Sequence, residues 1–537
     1  MNKYLIILWI LCIAGLAMFL GHYSGWMIDF GREVYYPERI LSGDVLYKDL
    51  FNIYGPLAYQ INAVLYKIFG AKLSTLFGAG AVCSLLTVSR VYLLANRYMS
   101  KFLSFSLGIF TIAVGVTTTS IFNFHFPYSW AVLYGLIAFI YSLYFIKDKL
   151  WISALLAGVC ITCKYDFLLY GFVILFLIVK QRDWKALLSF VSVPILSFGI
   201  LFIQGLQISD LINSLTIVKN MAKSKTLTYF YQNSGIYFHP KALLMDLVLF
   251  LKFAIPFGGI LFGTWKNKKI ITIFSFILAI WFFDAKLMFG FLPLLLFICA
   301  ILLFTNNVML NLIQHLSILI NIDRFRIKCG MTDNKLLIIS VLLVSAKVFW
   351  VLLLGSYGTY YVSLLLIALL SLLPRKFDKV VGIYFILLSI FTIFVNFQAK
   401  PAKLPDKIVN YVNTVTKPTD KVVVFPEGMI INFLSDRQSD GFYNSMLPLY
   451  VETFGEDKIV EHFSQNKPEM IILNNLNMKD YAFEYICKDY ALGFCGFIQE
   501  NYELVDIIDD NYKYSVFKNI SSSRAVQKLE QRGDPAF

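Results

Sequence analysis

Long apolar runs constrain this chain more than any other feature. Crossing the ~30 Å hydrocarbon core of a bilayer takes about 20 apolar residues in a helix, and runs of that length recur up to about residue 398. The chain is 58% hydrophobic and 15% charged over 537 residues, whereas soluble domains carry about 25% charged residues. Backbone polar groups in lipid must be bonded internally. A mainly α-helical, polytopic membrane protein is therefore predicted, and a soluble enzyme, a disordered chain and a nucleic-acid-binding domain are excluded.

Single spans and two longer apolar stretches make up the membrane part. The single spans lie near 4–21, 74–95, 103–122, 128–146, 187–205, 245–264, 336–354, 359–373 and 379–397. The longer stretches, 151–180 and 270–304, have basic clusters at both ends. The positive-inside rule places those ends in the cytoplasm, so each stretch is predicted to be a hairpin of two short helices. Lys164 and Lys286 then lie at the outer turns, and the chain crosses the membrane thirteen times.

The charge is divided unevenly and fits this topology. Residues 1–399 hold 32 basic against 14 acidic residues, a net +18, and residues 400–537 hold 15 against 20, a net −5. The basic excess falls in short breaks between spans, which is typical of cytoplasmic loops rather than of a nucleic-acid site. The outer loops are predicted at 22–71 and 206–244. The chain is predicted to be a multi-pass protein of the cell membrane, with its C-terminal part outside the cytoplasm.

Residues 400–519 carry more charged residues than the membrane module 1–399, and helix-like and strand-like patterns alternate in them. They are predicted to form a small extracytoplasmic α/β domain. Predicted helices are Leu404–Thr416 and Glu456–Asn466, and predicted strands are Lys421–Phe425, Met470–Leu473, Tyr502–Ile508 and Tyr512–Phe517, from their periodicity. The last two strands form a pair around a turn. The tail 520–537 is predicted to be disordered.

The cysteines and the absence of known catalytic motifs limit the kinds of reaction that the sequence supports. Cys487 and Cys495 form a disulfide if their compartment is oxidising, and free thiols are the equal alternative. Cys160 and Cys163 lie in an apolar limb, where packing residues are expected. The sequence has no nucleotide-binding loop, no zinc-protease motif and no nucleophile elbow. No cofactor or metal site is predicted from ligand spacing, and a divalent ion shared by Asp29 and a phosphate stays open.

The first outer loop concentrates acidic residues. Five of the membrane part's 14 acids fall between Asp29 and Asp49, directly after the first span. A carboxylate held against the membrane surface is partly desolvated, which raises its pKa and makes it a better general base for a hydroxyl group. The alternative, a solvated loop with helix-capping acids, is the interpretation that composition alone favours.

Specific residues of this loop resemble a known superfamily. A first span is followed by Asp29 with Arg32-Glu33, then Gly43, then Tyr47-Lys48-Asp49, then Tyr54-Gly55-Pro56-Leu57 with Tyr59. This pattern resembles the GT-C glycosyltransferases, and more narrowly the bacterial relatives of protein O-mannosyltransferases and of the lipid A aminoarabinose transferase. The resemblance covers the topology of residues 1–400 and, specifically, about 27–70. The segment Phe425-Pro426-Glu427-Gly428, with Asn432 and Arg437, is similar to the outer domain of some bacterial members.

The resemblance implies transfer of a sugar from a polyprenyl-phosphate donor to a lipid, glycan or protein acceptor on the outer face, with inversion. It implies an aspartate base at Asp29. Many relatives carry a second acid directly after this aspartate, whereas here Phe30 follows and the next acid is Glu33. Glu33 and Asp49 complete the set of predicted catalytic acids.

A phosphate-linked sugar has a good leaving group, so the site needs cations rather than a proton donor. Arg32, Lys164 and Lys286 are predicted at the outer surface and can bind the donor phosphate. The alternative for the two lysines is snorkelling or pairing with a neighbouring acid. Residues predicted to support the site or the acceptor are Asp166, His239, Glu427 and Arg437.

Two other functional classes fit the composition. One is a transporter or lipid flippase with an outer binding domain, and the other is a membrane-tethered binding protein. The polar residues lie toward the outer ends of spans, and the two halves show no matching interrupted helices, which disfavours a transporter.

Overall fold

The computed structural model describes residues 2–20, 22–23, 25–234, 240–282, 295–296, 331–350, 359–400 and 402–520. His239, Lys286 and the tail after residue 520 lie outside the described residues. The described chain is mainly α-helical with one small sheet. The predicted class, a helical membrane protein with a C-terminal α/β part, is confirmed in this general form.

The helices of the apolar part follow the predicted spans and also occupy both outer loops. They run Lys3–Met18, Phe30–Leu41, Leu57–Phe69, Leu73–Ala95, Lys101–Gly115, Trp130–Phe145, Leu150–Cys163, Leu168–Gln181, Trp184–Ile203, Ile208–Ala222, Lys225–Ser234, Pro240–Trp265, Lys269–Trp281, Met331–Trp350, Val362–Leu370 and Asp378–Gln398. After residue 400 the helices are Asp406–Val415, Met429–Ser435, Pro448–Phe454, Glu456–Gln465 and Leu492–Asn501. Short 3-10 turns lie at Tyr165–Phe167, Arg375–Phe377 and Lys479–Tyr481.

Three described helices are long and apolar enough to cross a membrane: Leu73–Ala95, Trp184–Ile203 and Arg375–Gln398. Shorter apolar helices include Lys3–Met18 and Leu150–Cys163. At 1.5 Å per residue, the 14 residues of Leu150–Cys163 span about 21 Å. The chain is a multi-pass membrane protein, and the number of its crossings stays a prediction.

The predicted span 103–122 is too long, because the helix ends at Gly115. Polar side chains in the following segment bond to nearby backbone groups and compete with the helix. Ser120 N–H donates to Thr118 Oγ1 at 3.2 Å, and Asn123 Oδ1 accepts from the N–H groups of His125 and Phe126. Residues 116–129 therefore form turns rather than a continuing helix.

The predicted interruption of the stretch 151–180 is observed. The helix Leu150–Cys163 ends at Lys164, whose backbone is extended (φ −151°, ψ 131°), and the chain resumes helical structure after the turn Tyr165–Phe167. Lys164 therefore lies at a break between two helices.

The C-terminal sheet has four strands in the order β1-β2-β4-β3. They are β1 Val422–Phe425, β2 Met470–Asn474, β3 Tyr502–Asp509 and β4 Lys513–Asn519. β1 and β2 are parallel, and the other pairs are antiparallel. All four predicted strands and the β3–β4 pair are confirmed. The helices Met429–Ser435, Pro448–Phe454 and Leu492–Asn501 were not predicted, because 7 to 10 residues carry little periodicity.

The sheet lies between two apolar layers. One face, with Val422, Val424 and Ile472, joins the large core that includes the membrane helices. The other face, with Phe425, packs on a second core that includes Phe494. The parallel strands β1 and β2 end at the same edge, so the residues after β1 meet the end of β2. In α/β sheets ligands bind outside the carboxyl ends of parallel strands.

Candidate active site

Asp29 begins the helix Phe30–Leu41 in an unusual backbone conformation. Its φ of 60° is in the left-handed region, which is uncommon for a residue with a side chain but most accessible to Asp and Asn. Its backbone N–H donates to Glu427 Oε2 at 3.0 Å. The side chain is 23% exposed, so the carboxylate is held in place and still reachable.

Arg32 lies one turn further along the same helix. Its Nη2 is 3.6 Å from Asp29 Oδ1, and its Nε is 3.5 Å from Glu33 Oε1. The guanidinium carbon lies 5.2 Å from the centroid of the Tyr54 ring. Arg32 and Glu427 also line one pocket with Tyr450, between the first outer loop and the C-terminal domain. The cation is therefore buried beside Asp29 and borders a cavity.

Lys164 joins this group from the break between the two helices. Its Nζ lies 4.4 Å from the centroid of the Tyr54 ring and 3.6 Å from Asp166 Oδ2. Its side chain is 2% exposed. Two cations therefore contact one tyrosine ring, an arrangement that favours positive charge through the ring quadrupole. Two fixed cations beside a partly exposed carboxylate can bind an anionic group.

Gly55 explains how the Tyr54 ring reaches Lys164. A Cβ at Gly55 would lie 1.9 Å from the backbone oxygen of Thr162, closer than any real contact. With no side chain, the Gly55 N–H can donate to the Cys163 carbonyl at 3.1 Å. The Tyr54-Gly55-Pro56 segment therefore needs glycine to dock the first outer loop on the helix break.

Glu33 has no exposed surface and both of its oxygens are engaged. Oε1 accepts from Tyr59 OH at 2.8 Å, and Oε2 accepts from the Trp130 N–H at 2.9 Å. Burial raises the pKa of Glu33, while Arg32 and these hydrogen bonds lower it. The geometry fits a carboxylate that fixes Arg32 rather than one that takes a proton from a substrate.

Glu427 follows β1 and links the C-terminal domain to Asp29. Its Oε1 accepts from Ser445 Oγ at 3.3 Å, and its carbonyl accepts from Asn474 Nδ2 at 2.6 Å. Burial, with the nearby charge of Asp29, raises the pKa of Glu427 to about 8. A Cβ at Gly31 would lie 2.6 Å from the Ile430 backbone nitrogen, so glycine permits this close approach.

The pKa of Asp29 is set by opposing effects. Burial raises it, and the positive charges of Arg32 and Lys164 lower it. The carboxyl groups of Asp29 and Glu427 repel each other when both are ionised. One of the two therefore binds a proton more readily than an isolated carboxyl group does. The net effect raises the pKa of Asp29 above its ordinary value, which makes this partly exposed carboxylate a stronger base than an ordinary aspartate.

The second outer loop covers the same side of the molecule. Ser214 Oγ donates to the Tyr47 carbonyl at 3.3 Å, and Lys225 N–H donates to Glu452 Oε1 at 2.8 Å. The Phe230 ring stacks on Tyr481 with 5.2 Å between centroids. Burial, with the charge of Asp29 adding, raises the pKa of Tyr481. This loop therefore packs on residues that surround Asp29.

The predicted site residues divide into two groups. The structure brings Asp29, Arg32, Glu33, Lys164 and Glu427 together, with Asp166 at the edge as the partner of Lys164. It does not bring in Asp49 or Arg437.

Asp49 and Arg437 have other partners. Asp49 Oδ2 accepts from the Val45 N–H at 2.9 Å and closes a turn. The Arg437 guanidinium donates to the Thr416 hydroxyl and carbonyl, both at 2.9 Å, inside the C-terminal domain. Both contacts are local and structural.

Sequence reasoning missed several tyrosines and the second partner of Glu33. Tyr54 and Tyr59 stood in the recognised motif, but their roles as a cation platform and as a donor to Glu33 were not predicted. No sequence pattern pointed to Trp130 or Tyr450 as site residues. Trp130 donates to Glu33 through its backbone N–H, and Tyr450 lies on a helix that was not predicted. In the part of the chain that the structure describes, no group of three or more His, Cys, Asp or Glu could hold a metal ion.

Solved structures similar to this chain are membrane glycosyltransferases. ArnT from Cupriavidus metallidurans bound to undecaprenyl phosphate is 14% identical, with 97% of this chain and 98% of that chain covered and a TM-score of 0.44. The Archaeoglobus fulgidus oligosaccharyltransferase is 12% identical, with 96% of this chain and 73% of that chain covered and a TM-score of 0.43. No family model and no curated protein matches the sequence. Both similar structures belong to the GT-C superfamily. The pattern in residues 27–70 resembles the same superfamily.

Proposed function

We propose that the protein is an integral membrane glycosyltransferase that moves a sugar from a polyprenyl-phosphate donor to an acceptor on the outer face, with inversion. The observation that carries this proposal is the grouping of Asp29 with Arg32 and Lys164 around one tyrosine ring. Asp29 is the most exposed carboxylate of the group, at 23% against 0% for Glu33. The accessible acid suits a general base, and the two fixed cations beside it suit a phosphate-binding site.

The cations supply what the leaving group needs. When the bond from the sugar's anomeric carbon to the phosphate oxygen breaks, the polyprenyl phosphate keeps the electron pair and gains negative charge. Arg32 and Lys164 neutralise that charge, and their burial strengthens the interaction. The positive charge that develops on the sugar ring is stabilised by the nearby carboxylates.

Asp29 takes the proton of the attacking acceptor group. The acceptor oxygen forms its bond to the anomeric carbon on the face opposite the departing phosphate, which inverts the configuration. Burial raises the pKa of Glu427, whereas the positive charges of Arg32 and Lys164 stabilise an ionised Asp29, so we assign the proton of this pair to Glu427. Asp29 is then the ionised partner and acts as the base.

The proposal includes the topology that the sequence predicts. Thirteen crossings, a cytoplasmic N-terminus and an extracytoplasmic domain at 400–519 place Asp29 on the outer face. Lys479→Cys and Lys147→Cys, each in a background in which the six cysteines other than the disulfide pair Cys487–Cys495 are replaced by alanine, test it with a membrane-impermeant maleimide on intact cells. We expect labelling at position 479 alone; labelling at position 147 instead would reverse the orientation and contradict the proposal.

The decisive experiment is transfer of labelled sugar from polyprenyl-phosphate donors by the purified protein. We expect Asp29→Asn to lower the rate about 10²- to 10⁴-fold, the range for loss of a general base, with donor binding retained. Asp49→Asn, in the same outer loop, is the matched control and keeps its activity. Wild-type rates in Asp29→Asn would refute the base assignment. Failure of the wild type with hexosyl, aminosugar and pentosyl donors would instead favour a transporter or flippase.

A further inference from the structure

A second cavity lies in the C-terminal domain, away from the cations. It opens beside the helix Leu492–Asn501, above the end of β2 and the start of β4, with Leu473, Ser515 and Phe517 among its lining residues. Its volume is about 300 Å³, and an adjoining cleft of about 660 Å³ shares Asn475 and Lys513 with it. Pockets that hold small ligands measure about 300–1,000 Å³. The two clefts together can hold more than one ligand unit.

The cleft has hydrogen-bonding groups without partners. Within the described residues, the side chains of Gln499, Lys513 and Ser515 make no hydrogen bond. Asn475 Oδ1 accepts from the backbone N–H of Lys513 at 2.9 Å. The N–H donors of the Asn475 side-chain amide can therefore bond to a ligand. Amides offer donors and acceptors side by side, as hydroxyl groups do. This set suits a ligand with many hydroxyl groups.

Two tyrosines and a rigid wall complete the cleft. Tyr485 lines the cavity of about 300 Å³, and Tyr512 lines the adjoining cleft. The wall is fixed by the Cys487–Cys495 disulfide and by Asp489, which accepts from the N–H groups of Glu484 and Tyr485 at 2.7 and 3.2 Å. Tyrosine gives contact area at a low cost in conformational entropy. A fixed wall reduces the ordering that binding requires.

The cleft connects to the candidate active site through one residue. Asn474 lines it, and the same side chain donates to the Glu427 carbonyl at 2.6 Å. The side chains lining the two clefts include one carboxylate, Asp509. Cleavage of a glycosidic bond requires a pair of acids. The cleft therefore fits binding and not a second reaction.

We propose that this cleft binds an oligosaccharide, and that the sugar chain is part of the acceptor. The identity of the glycan as the acceptor rests on the proposed glycosyl transfer, whereas the binding of an oligosaccharide does not. The amides and Ser515 contact ring hydroxyls, Tyr485 packs on a sugar face, and Lys513 adds a preference for chains that carry a carboxylate.

The test measures binding by the full-length protein in lipid nanodiscs without donor. Immobilised neutral hexose, N-acetylhexosamine and uronic-acid oligosaccharides serve as probes in surface plasmon resonance. We expect at least one class to bind, with uronic-acid chains favoured. The double variant Gln499→Ala/Lys513→Ala should raise the dissociation constant about tenfold, the loss expected for two hydrogen bonds. The matched pair Gln465→Ala/Lys458→Ala, on an exposed helix of the same domain, should bind as the wild type.

The outcomes separate this inference from the proposed function. Absence of binding by every oligosaccharide class, or wild-type affinity in the double variant, would overturn the glycan site. Asp29→Asn should lose transfer and keep glycan binding. If the wild type binds a glycan but transfers no sugar from any donor, the proposed transfer fails and the glycan site stands. If the wild type transfers sugar but binds no glycan, the glycan site fails and the proposed transfer stands.

Discussion

The backbone N–H of Asp29 donates to Glu427 Oε2 at 3.0 Å, across 398 positions of sequence. This bond joins the first outer loop to the C-terminal domain at the point where the reaction is proposed to occur. The close approach of Gly31 to Ile430 supports the same contact. The C-terminal domain therefore contributes a carboxyl group to the site of the membrane module.

Glu427→Gln tests the protonation of this pair through stability. The pKa of Glu427 is raised from 4.5 to about 8 in the folded protein, so the folded state binds the proton more tightly than the unfolded state. The stability from this group is complete below about pH 4.5 and is lost as the pH rises through about 8. We expect the variant to lose less stability across this range, measured as apparent melting temperature in detergent.

Glu461→Gln, on the exposed face of the helix Glu456–Gln465, is the control for Glu427→Gln. It should keep the pH slope of the wild type. An unchanged slope in Glu427→Gln would show that Glu427 is ionised at neutral pH and would remove its role as the neutral partner of Asp29.

Lys164→Gln tests the phosphate site. Loss of a buried cation that binds an anionic donor should raise the KM for the donor about tenfold or more, since hydrogen bonds to charged groups are worth about 1.5–3 kcal/mol. The charge of Lys164 also lowers the pKa of Asp29, so its removal should move the acid limb of kcat/KM to higher pH. The readouts are donor titrations and a pH–rate profile.

Lys48→Gln, at an exposed lysine of the same outer loop, is the control for the phosphate site and should leave both readouts unchanged. A wild-type KM in Lys164→Gln would contradict the phosphate-binding role and leave this lysine a structural role beside Asp166 and Tyr54.

Gly55→Ala tests the docking of the first outer loop. The added methyl group would meet the Thr162 carbonyl oxygen at 1.9 Å, so the loop must move away and carry the Tyr54 ring from Lys164. We expect transfer to fall at least tenfold and the melting temperature to drop. Gly78→Ala, in a helix where an added Cβ meets nothing within 4 Å, should be neutral. Wild-type activity in Gly55→Ala would separate the Tyr54 platform from catalysis.

Tyr59→Phe removes one of the hydrogen bonds that hold Glu33. A buried carboxylate that loses a donor should cost about 1.5–3 kcal/mol of stability. Transfer should fall as well, because Glu33 contacts Arg32. Tyr4→Phe removes a hydroxyl that makes no hydrogen bond within the described residues and is the control. If both variants melted at the same temperature, the Tyr59 hydroxyl would have no structural role.

The sequence predicted most of the local structure. Apolar runs, the break at Lys164 and the four strands were readable because helix and strand periods depend on neighbouring residues. The helix end at Gly115 was not predicted, because the span 103–122 ends in the apolar pair Ile121-Phe122 and the turns after Gly115 depend on particular side-chain bonds.

The sequence alone predicted a series of membrane-spanning helices, a small α/β part after them, and Asp29 with nearby acids just after the first span. Hydrophobicity and charge fix these properties, and both act through composition and chain order. The tertiary structure decided that Lys164 and Arg32 meet on Tyr54, that Glu33 is enclosed by Tyr59 and Trp130, and that Glu427 bonds to Asp29. Such contacts join segments up to 398 residues apart, and they depend on packing at glycines, which no local pattern records.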